Sequence, residues 1–175
     1  MTYDELLDHN RHREIRQIGI ITDDLMRDVR NWVDIARVGP WTIKDYSDRD
    51  IAELQVHGRD NRDFRFLVAT AKMGNLEIEL IQPVHGMPVY EDFLARHGPG
   101  LHHIKEKIGE EIIERVVEEY GRHDIPVVQT GRLFHDIHYY LDASRQLQTV
   151  IELGNCPSNN PLPPRLVSYY PAKEQ

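Results

Sequence analysis

The stretch GPGLHHIKEKIG, residues 98–109, decides the fold because the pattern of the chain begins a second time there. Glycine and proline break the preceding segment, and an apolar run that contains two adjacent histidines follows. Neighbouring side chains on a β-strand point to opposite faces, so we do not expect His102 and His103 to share one task if this run is extended. One of them should face a core or a cavity, and the other should face something else.

The segments before and after this point follow the same order of elements. Residues 14–24, EIRQIGIITDD, are typical of a strand, and the helical pattern of residues 25–39 comes after them. In the second half, residues 101–109 take the place of the strand and residues 110–123 show the apolar spacing of an amphipathic helix. Three extended segments follow in each half: 41–48, 63–73 and 75–83, then 125–133, 136–142 and 148–154.

This repeat predicts an α+β fold of two βαβββ modules, with eight strands in one curved mixed sheet and the helices outside it. We place a polar leader at residues 1–13, the first module with its linker at 14–98 and the second module at 99–155, all in one domain. The Pro-rich segment 156–175 cannot supply a central strand or helix, so we expect it to wrap the surface or to hang free.

The composition of the 175 residues argues against several kinds of partner and site. With 21 Lys+Arg against 29 Asp+Glu, the formal net charge of −8 argues against nucleic acid and against an anionic membrane surface. The single cysteine, Cys156, rules out an intramolecular disulfide and a cysteine-based zinc cluster. No run approaches the roughly eighteen apolar residues of a membrane span and the N-terminus lacks the apolar core of a secretory signal, so we expect a cytoplasmic protein.

Four polar residues occupy equivalent places in the two modules. Gln17 and His103 lie in the first strand of each half, while Glu79 and Glu152 each lie in an Ile-Glu-Leu triplet of the last strand. Polar side chains in apolar strands need partners, so the four need a common explanation. If the two halves curve toward each other, all four converge on one cavity, with donors that suit Zn, Ni, Mn, Co or Fe(II). His103 is then the ligand, and His102 faces packing or the helix layer.

The motifs RQIGIITDDL, GPWTI, LEIELIQP, HGPGLHHI and VIELGN, in this order and spacing, resemble the vicinal oxygen chelate superfamily and within it the methylmalonyl-CoA epimerase and glyoxalase-like branch. The resemblance spans residues 14–155, and HGPGLHHI after ELIQP is its most specific part. In that family two βαβββ modules form a cup around a divalent metal ion, which is held by the first and last strands of each module. Carried over by position, the resemblance implies the metal ligands Gln17, Glu79, His103 and Glu152.

The ligand set and the surrounding motifs point to different branches of this family. Epimerases usually have histidine in place of Gln17 and an amide in place of Glu79, whereas glyoxalase I enzymes of the eukaryotic type use Gln, Glu, His and Glu. For proton transfer the resemblance implies Glu152 as the first candidate base, with Glu79, Glu53 and Lys105 as further candidates in no fixed order. Glu53 is only a loose match to the acidic base of the epimerases.

Lys105 departs from the family, which normally has a small or apolar residue at this position. By alternation its side chain shares the face of His103. It could act as an acid or base whose pKa is lowered by burial near a metal, or bind a carboxylate of the substrate. We more readily expect it to leave the cup with its strand and to reach solvent.

The resemblance implies an epimerase or racemase that moves a proton at the carbon next to a carbonyl through a metal-stabilised enolate. The substrate would be a CoA thioester such as methylmalonyl-CoA, or a small ketone such as an isoflavanone. A glyoxalase I-like isomerase is the alternative that the ligand set favours, and a non-catalytic protein that binds a small molecule in the same cup is the third. We expect one divalent ion as cofactor, a small-molecule carbonyl substrate and, as is usual in the family, a homodimer.

Overall fold

The chain folds into one sheet with α-helices packed against it, as described for residues 1–51, 53–158 and 160–173 by a computed structural model. The helices are α1 Tyr3–Asn10, α2 Leu25–Asp34, α3 Pro88–His97, α4 Glu110–Gly121 and α5 Ser144–Leu147. The strands are β1 Ile15–Ile21, β2 Trp41–Ser47, β3 Glu53–Val56, β4 Arg59–Asp60, β5 Arg65–Met73, β6 Leu76–His85, β7 Gly100–Lys107, β8 Val127–Leu133, β9 Asp136–Ala143, β10 Thr149–Gly154 and β11 Val167–Tyr170.

The sheet joins the two modules at its centre. Its eleven strands lie in the order β11-β2-β5-β6-β1-β7-β10-β9-β8-β3-β4. The antiparallel pair β1 and β7 forms the seam, and each of these strands has a parallel partner on its other side, β6 or β10. The eight strands that the repeat predicts therefore form the middle of a mixed sheet, which confirms the predicted fold class.

Three further strands extend the sheet at its two edges. β3 and β4 form a hairpin that pairs with β8 of the second module, and its two-residue turn has positive φ at His57 and at Gly58, as such turns require. At the opposite edge β11, from the Pro-rich tail, pairs with β2. The tail thus wraps the surface and does not hang free, and its last strand lies at the edge of the sheet.

Three apolar clusters hold α2, α3 and α4 against the sheet. α2 packs Leu25 and Val29 on one module, and α4 packs Ile113 on the other. The third cluster combines strands of both modules with α3, and its largest members are Tyr46, Phe66, Tyr90 and Tyr140. This third cluster adjoins the polar residues of the central strands, since the ring centroid of its Tyr140 lies 4.9 Å from that of His103.

In the described part of the chain, no helix has both the length and the apolar character that crossing a membrane requires.

Candidate functional site

The site is built around a glycine on the central strand β1. Gly19 is paired with Glu79 of β6 on one side and with His103 of β7 on the other. A Cβ atom at Gly19 would overlap the imidazole of His103, so the ring lies in the space that the missing side chain leaves. As a result His103 Nε2 lies 3.4 Å from Glu79 Oε2, across the strand that separates them.

Glu152 of β10 completes a group of three potential metal ligands. Its Oε2 atom lies 3.0 Å from His103 Nε2, and one ligand atom from each of the three residues lies within 4.8 Å of the others. His103 Nε2 and Glu152 Oε2 are both buried without a hydrogen-bond partner among the described residues, which is costly for polar atoms. Two carboxylates and an imidazole are a donor set that divalent cations prefer, so these residues fit a metal ion.

Gln17, the fourth ligand that the sequence predicts, lies beside this group. It is buried on β1 two residues before Gly19, and therefore on the same face. Its Nε2 atom donates a hydrogen bond of 2.8 Å to Glu77 Oε1. Because the amide nitrogen is engaged, the side-chain oxygen is the Gln17 atom that could serve as a ligand.

The two adjacent histidines do not face opposite sides, and this expectation was wrong. Between β1 and β7 the register shifts, so that Gly19 pairs with His103 but Ile20 pairs with Leu101. His102 is the extra residue of a β-bulge, and a bulge re-aims the side chains next to it. Both histidines are buried, and their Nδ1 atoms lie 3.0 Å apart.

His102 is placed to fix the tautomer of His103. Its ring packs edge-on against Tyr90 and Phe93 of α3, the contact with a helix that we expected, and also against Tyr140. Burial, and then the nearby His103, lower the pKa of His102 to about 3, so it is neutral. A neutral His102 can accept a hydrogen bond from Nδ1–H of His103, which leaves the lone pair of His103 Nε2 for a cation.

Lys105 does not reach solvent, so the preferred expectation for it was wrong. Only 8 % of its side chain is exposed, and Nζ lies 2.9 Å from Glu152 Oε1 and 3.3 Å from Asp136 Oδ2. Burial alone would lower the pKa of Lys105, but the negative charges of Glu152 and Asp136 outweigh it and raise the pKa well above its usual value. The lysine is therefore a buried cation that holds one oxygen of Glu152.

The same contacts determine the charge of Glu152. Burial would raise the pKa of this carboxyl, but Lys105 and His103 together lower it below its usual range. Glu152 is thus ionised and a weak proton acceptor.

Glu53 lies outside this group. It is exposed on β3, the outer hairpin, where its carboxylate faces Arg132 at 3.6 Å. The segment around it pairs with the edge of the second module, which holds it away from β1, β6 and β7.

A cavity of about 330 Å³ adjoins the candidate ligands. Gln17, Glu79 and Lys105 line one part of it, whereas His103 and Glu152 do not. Sequence reasoning missed five further charged residues of this lining: Arg16, Lys44, Lys72, Glu77 and Asp136. Alternation could have found Glu77, because it precedes Glu79 by two residues on the same strand.

Comparison with protein families gives a match over most of the chain. The family model described as the Glyoxalase/Bleomycin resistance protein/Dioxygenase superfamily matches residues 16–140. No curated protein sequence matches this chain significantly.

Solved structures share the fold at low sequence identity. A hypothetical protein from Bacillus halodurans C-125 is 14% identical with a TM-score of 0.64, over 87% of this chain and 100% of its own. A methylmalonyl-CoA epimerase in complex with methylmalonyl-CoA and NH4+ is 17% identical with a TM-score of 0.57, over 84% and 97% of the two chains. The methylmalonyl-CoA epimerase from Mycobacterium tuberculosis is 14% identical with a TM-score of 0.53, over 80% and 85%. These similarities establish the fold that the repeat predicts.

Substitution of Gly19 should abolish the metal site although no ligand residue is replaced. In Gly19→Ala the new methyl group occupies the position of the His103 ring, so we expect the affinity for Co²⁺ to fall by at least about tenfold, since a metal site loses affinity when a ligand is displaced. The visible absorption of bound Co²⁺ measures this. Gly100→Ala is the control, because a Cβ at Gly100 meets nothing within 4 Å. Equal Co²⁺ affinities in the two variants would contradict this geometry.

Cation binding should strengthen as the pH rises toward 9. Burial lowers the pKa of His103, but the close carboxylates of Glu152 and Glu79 outweigh this effect and raise it to about 9. Below that pH a cation must displace a proton from His103, so the apparent Kd for Co²⁺ should fall by about tenfold per pH unit and then level off. Titrations from pH 7 to pH 9.5 test this, and a flat profile would count against His103 as a ligand.

Replacement of His102 should weaken cation binding through His103. His102→Phe keeps an aromatic ring beside α3 but removes the acceptor for Nδ1–H of His103, so we expect a loss of about 10–100-fold in Co²⁺ affinity. His97→Phe, at an exposed histidine that also contacts Phe93, is the matched control and should bind as the wild type does. If His102→Phe retained full affinity, its hydrogen bond to His103 would have no role in the site.

Proposed function

The chain belongs to the glyoxalase/bleomycin resistance protein/dioxygenase superfamily, and we propose that it is a metal-dependent isomerase that moves a proton at the carbon next to a carbonyl group. One observation carries the proposal: Glu79, His103 and Glu152 bring their ligand atoms together, and His103 Nε2 and Glu152 Oε2 are buried with no hydrogen-bond partner among the described residues. Glu79 also lines the adjoining cavity. An epimerase or racemase is the form of this activity that we favour.

The ligands of the metal ion would be Glu79, His103, Glu152 and the side-chain oxygen of Gln17. A divalent cation bound there would polarise the carbonyl group of the substrate and so make the neighbouring C–H more acidic. Residues behind the ligands keep them in place, since Lys105 holds Glu152 and His102 holds His103. Such support is typical of sites in which metal ligands must keep a fixed orientation.

Glu79 is the carboxylate best placed to take the proton. It lines the cavity and 15% of its side chain is exposed, whereas Glu152 is more deeply buried, faces Lys105 and has a lowered pKa. We therefore assign Glu79 as the base and Glu152 as a ligand only, which reverses the order that the family resemblance implies. The ammonium group of Lys105, on the wall of the same cavity, would stabilise the negative charge that develops on the substrate as the proton leaves.

An epimerase needs a second group that returns the proton to the opposite face of the same carbon. Two further carboxylates line the cavity, Glu77 and Asp136. Glu77 accepts a hydrogen bond from Gln17 and forms an ion pair with Lys72, and Asp136 forms an ion pair with Lys105. We propose Asp136 for this second position, because it lines the cavity and, among the described residues, is not bonded to a proposed metal ligand. The methylmalonyl-CoA epimerases with the same fold support an epimerase.

The ligand set itself favours a second candidate, a glyoxalase I-like isomerase. Gln17, Glu79, His103 and Glu152 reproduce the Gln, Glu, His and Glu of the eukaryotic-type enzymes. Such an isomerase returns the proton to the neighbouring carbon, so a single base such as Glu79 is sufficient.

Deuterium exchange tests the proposal. In deuterated water with Co²⁺, proton NMR should show exchange at the carbon next to the carbonyl of a thioester or ketone. Exchange should fall by about 10²–10⁴-fold in Glu79→Gln, because the base is lost. Glu53→Gln removes a carboxylate on the outer hairpin and should leave the rate unchanged.

The outcomes separate the candidate functions. Turnover of methylglyoxal with glutathione, without exchange in any thioester or ketone, would favour the glyoxalase reaction. Full exchange in Glu79→Gln would remove Glu79 as the base. Neither reaction with any substrate would overturn the proposed isomerase.

A further inference from the structure

We propose that the substrate of this site is a short oxo acid without a large carrier group, and that Lys44 binds its carboxylate. This inference rests on the proposed function and narrows its substrate class. Three features of the described residues lead to it: the path of the C-terminal tail, the size of the cavity and an unpaired cation on the cavity wall.

The tail crosses from the second module to the first. Asn160 accepts a hydrogen bond of 3.1 Å from the backbone N–H of His135 and donates one of 3.2 Å to the carbonyl of Leu133. Both of these partners lie at the turn between β8 and β9, in the second module. A few residues later β11 pairs with β2, at the outer edge of the first module. The tail therefore bridges the outer strands of the two halves across the cup.

The bridging segment is anchored and is part of the wall. Leu162 and Leu166 pack into the apolar cluster that draws on both modules. Arg165 Nη2 lies 2.9 Å from Asp50 Oδ1, and only 4% of the Asp50 side chain is exposed. An ion pair to a buried carboxylate, combined with the buried Leu166 and the partly buried Leu162, holds this segment in one position.

The tail limits the size of the ligand. Cys156, Pro157 and Leu162 of the tail line the same cavity as Gln17 and Glu79. At about 330 Å³ the cavity lies near the lower end of the range of ligand sites, which is roughly 300–1,000 Å³. We infer that these tail residues, as part of the wall, disfavour a substrate attached to a long carrier such as CoA. A short, free substrate has no such carrier.

The charges of the cavity wall indicate an anionic ligand. Among its cations, Arg16 is paired with Glu14, Lys72 with Glu77, and Lys105 with Glu152 and Asp136. Lys44 differs from these three.

Lys44 Nζ donates a hydrogen bond of 3.1 Å to Thr70 Oγ1 and forms no ion pair within the described part of the chain. Its side chain is half-buried on the first module. A half-buried ammonium with a neutral partner is suited to a carboxylate supplied by a ligand.

The position of Lys44 sets the length of the substrate. Thr70, which holds Lys44 Nζ, is paired with Glu79 in the ladder between β5 and β6. Neighbouring strands lie about 4.8 Å apart, so Thr70 lies about one strand spacing from Glu79, and the Lys44 ammonium group lies 3.1 Å from the Thr70 hydroxyl. A carboxylate bound to Lys44 and a carbonyl that faces Glu79 would therefore fit in one small molecule.

Binding measurements on the full chain, supplied with Co²⁺, test the inference apart from catalysis. Isothermal titration calorimetry with 2-oxobutyrate and with propionyl-CoA compares a short oxo acid with a carrier-bound acyl group. We expect 2-oxobutyrate to bind and propionyl-CoA to give no saturable binding at millimolar concentration. The Lys44→Met substitution should lower the affinity for 2-oxobutyrate by about tenfold or more, since a charged hydrogen bond is lost. Lys107→Met, at an exposed lysine that does not line this cavity, should change the affinity by less than about twofold.

Each result either supports or overturns the inference. Binding of propionyl-CoA without 2-oxobutyrate, equal affinity in Lys44→Met and the wild type, or no binding of either compound would overturn it. If propionyl-CoA binds and exchanges deuterium, the proposed function stands and only the substrate class is wrong. If 2-oxobutyrate binds through Lys44 but does not exchange its hydrogen for deuterium, the proposed binding site is supported and the proposed isomerase activity is refuted.

Discussion

The close contact between the His103 imidazole and the backbone of Gly19 is the constraint on which the site depends. Two modules meet at the antiparallel pair β1 and β7, and at this seam one strand must carry no side chain so that a ring can lie across it. Only then does His103 reach the carboxylate of Glu79 on the far side of β1. The pairing of the strands and the composition of the site are thus one feature, because any side chain at Gly19 would separate the two ligands.

The site is a cluster of buried charges, and such a cluster by itself contributes little to the stability of the folded protein. Removing Glu152 and Lys105 from water costs free energy, which their contact of 2.9 Å and the nearby Asp136 offset. The contact with Lys105 keeps Glu152 ionised, and Glu79 is the more exposed of the two carboxylates. The two glutamates at equivalent places in the repeat are therefore not equivalent in their surroundings. This difference is the physical basis for assigning one as a base and the other as a ligand.

Alternation and the internal repeat were sufficient to predict the modules and to select Gln17, Glu79, His103 and Glu152. They could not predict His102, because a β-bulge adds a residue to one strand and leaves no trace in a period of two. Alternation also placed Lys105 on the face of His103, but whether that position is buried depends on where β9 and β10 run beside it. Glu53 was misjudged for a similar reason. Its hairpin pairs with a strand more than seventy residues later, which no local pattern in the sequence reveals.

The most direct test of this account is anomalous diffraction from crystals of the protein soaked with Co²⁺, with data collected on both sides of the cobalt absorption edge. The account predicts one strong anomalous peak per chain, within coordination distance of His103 Nε2 and of a carboxylate oxygen from each of Glu79 and Glu152. The absence of a peak there, or a peak held only by other residues such as the histidines of the leader, would contradict a metal centre at the seam of the two modules.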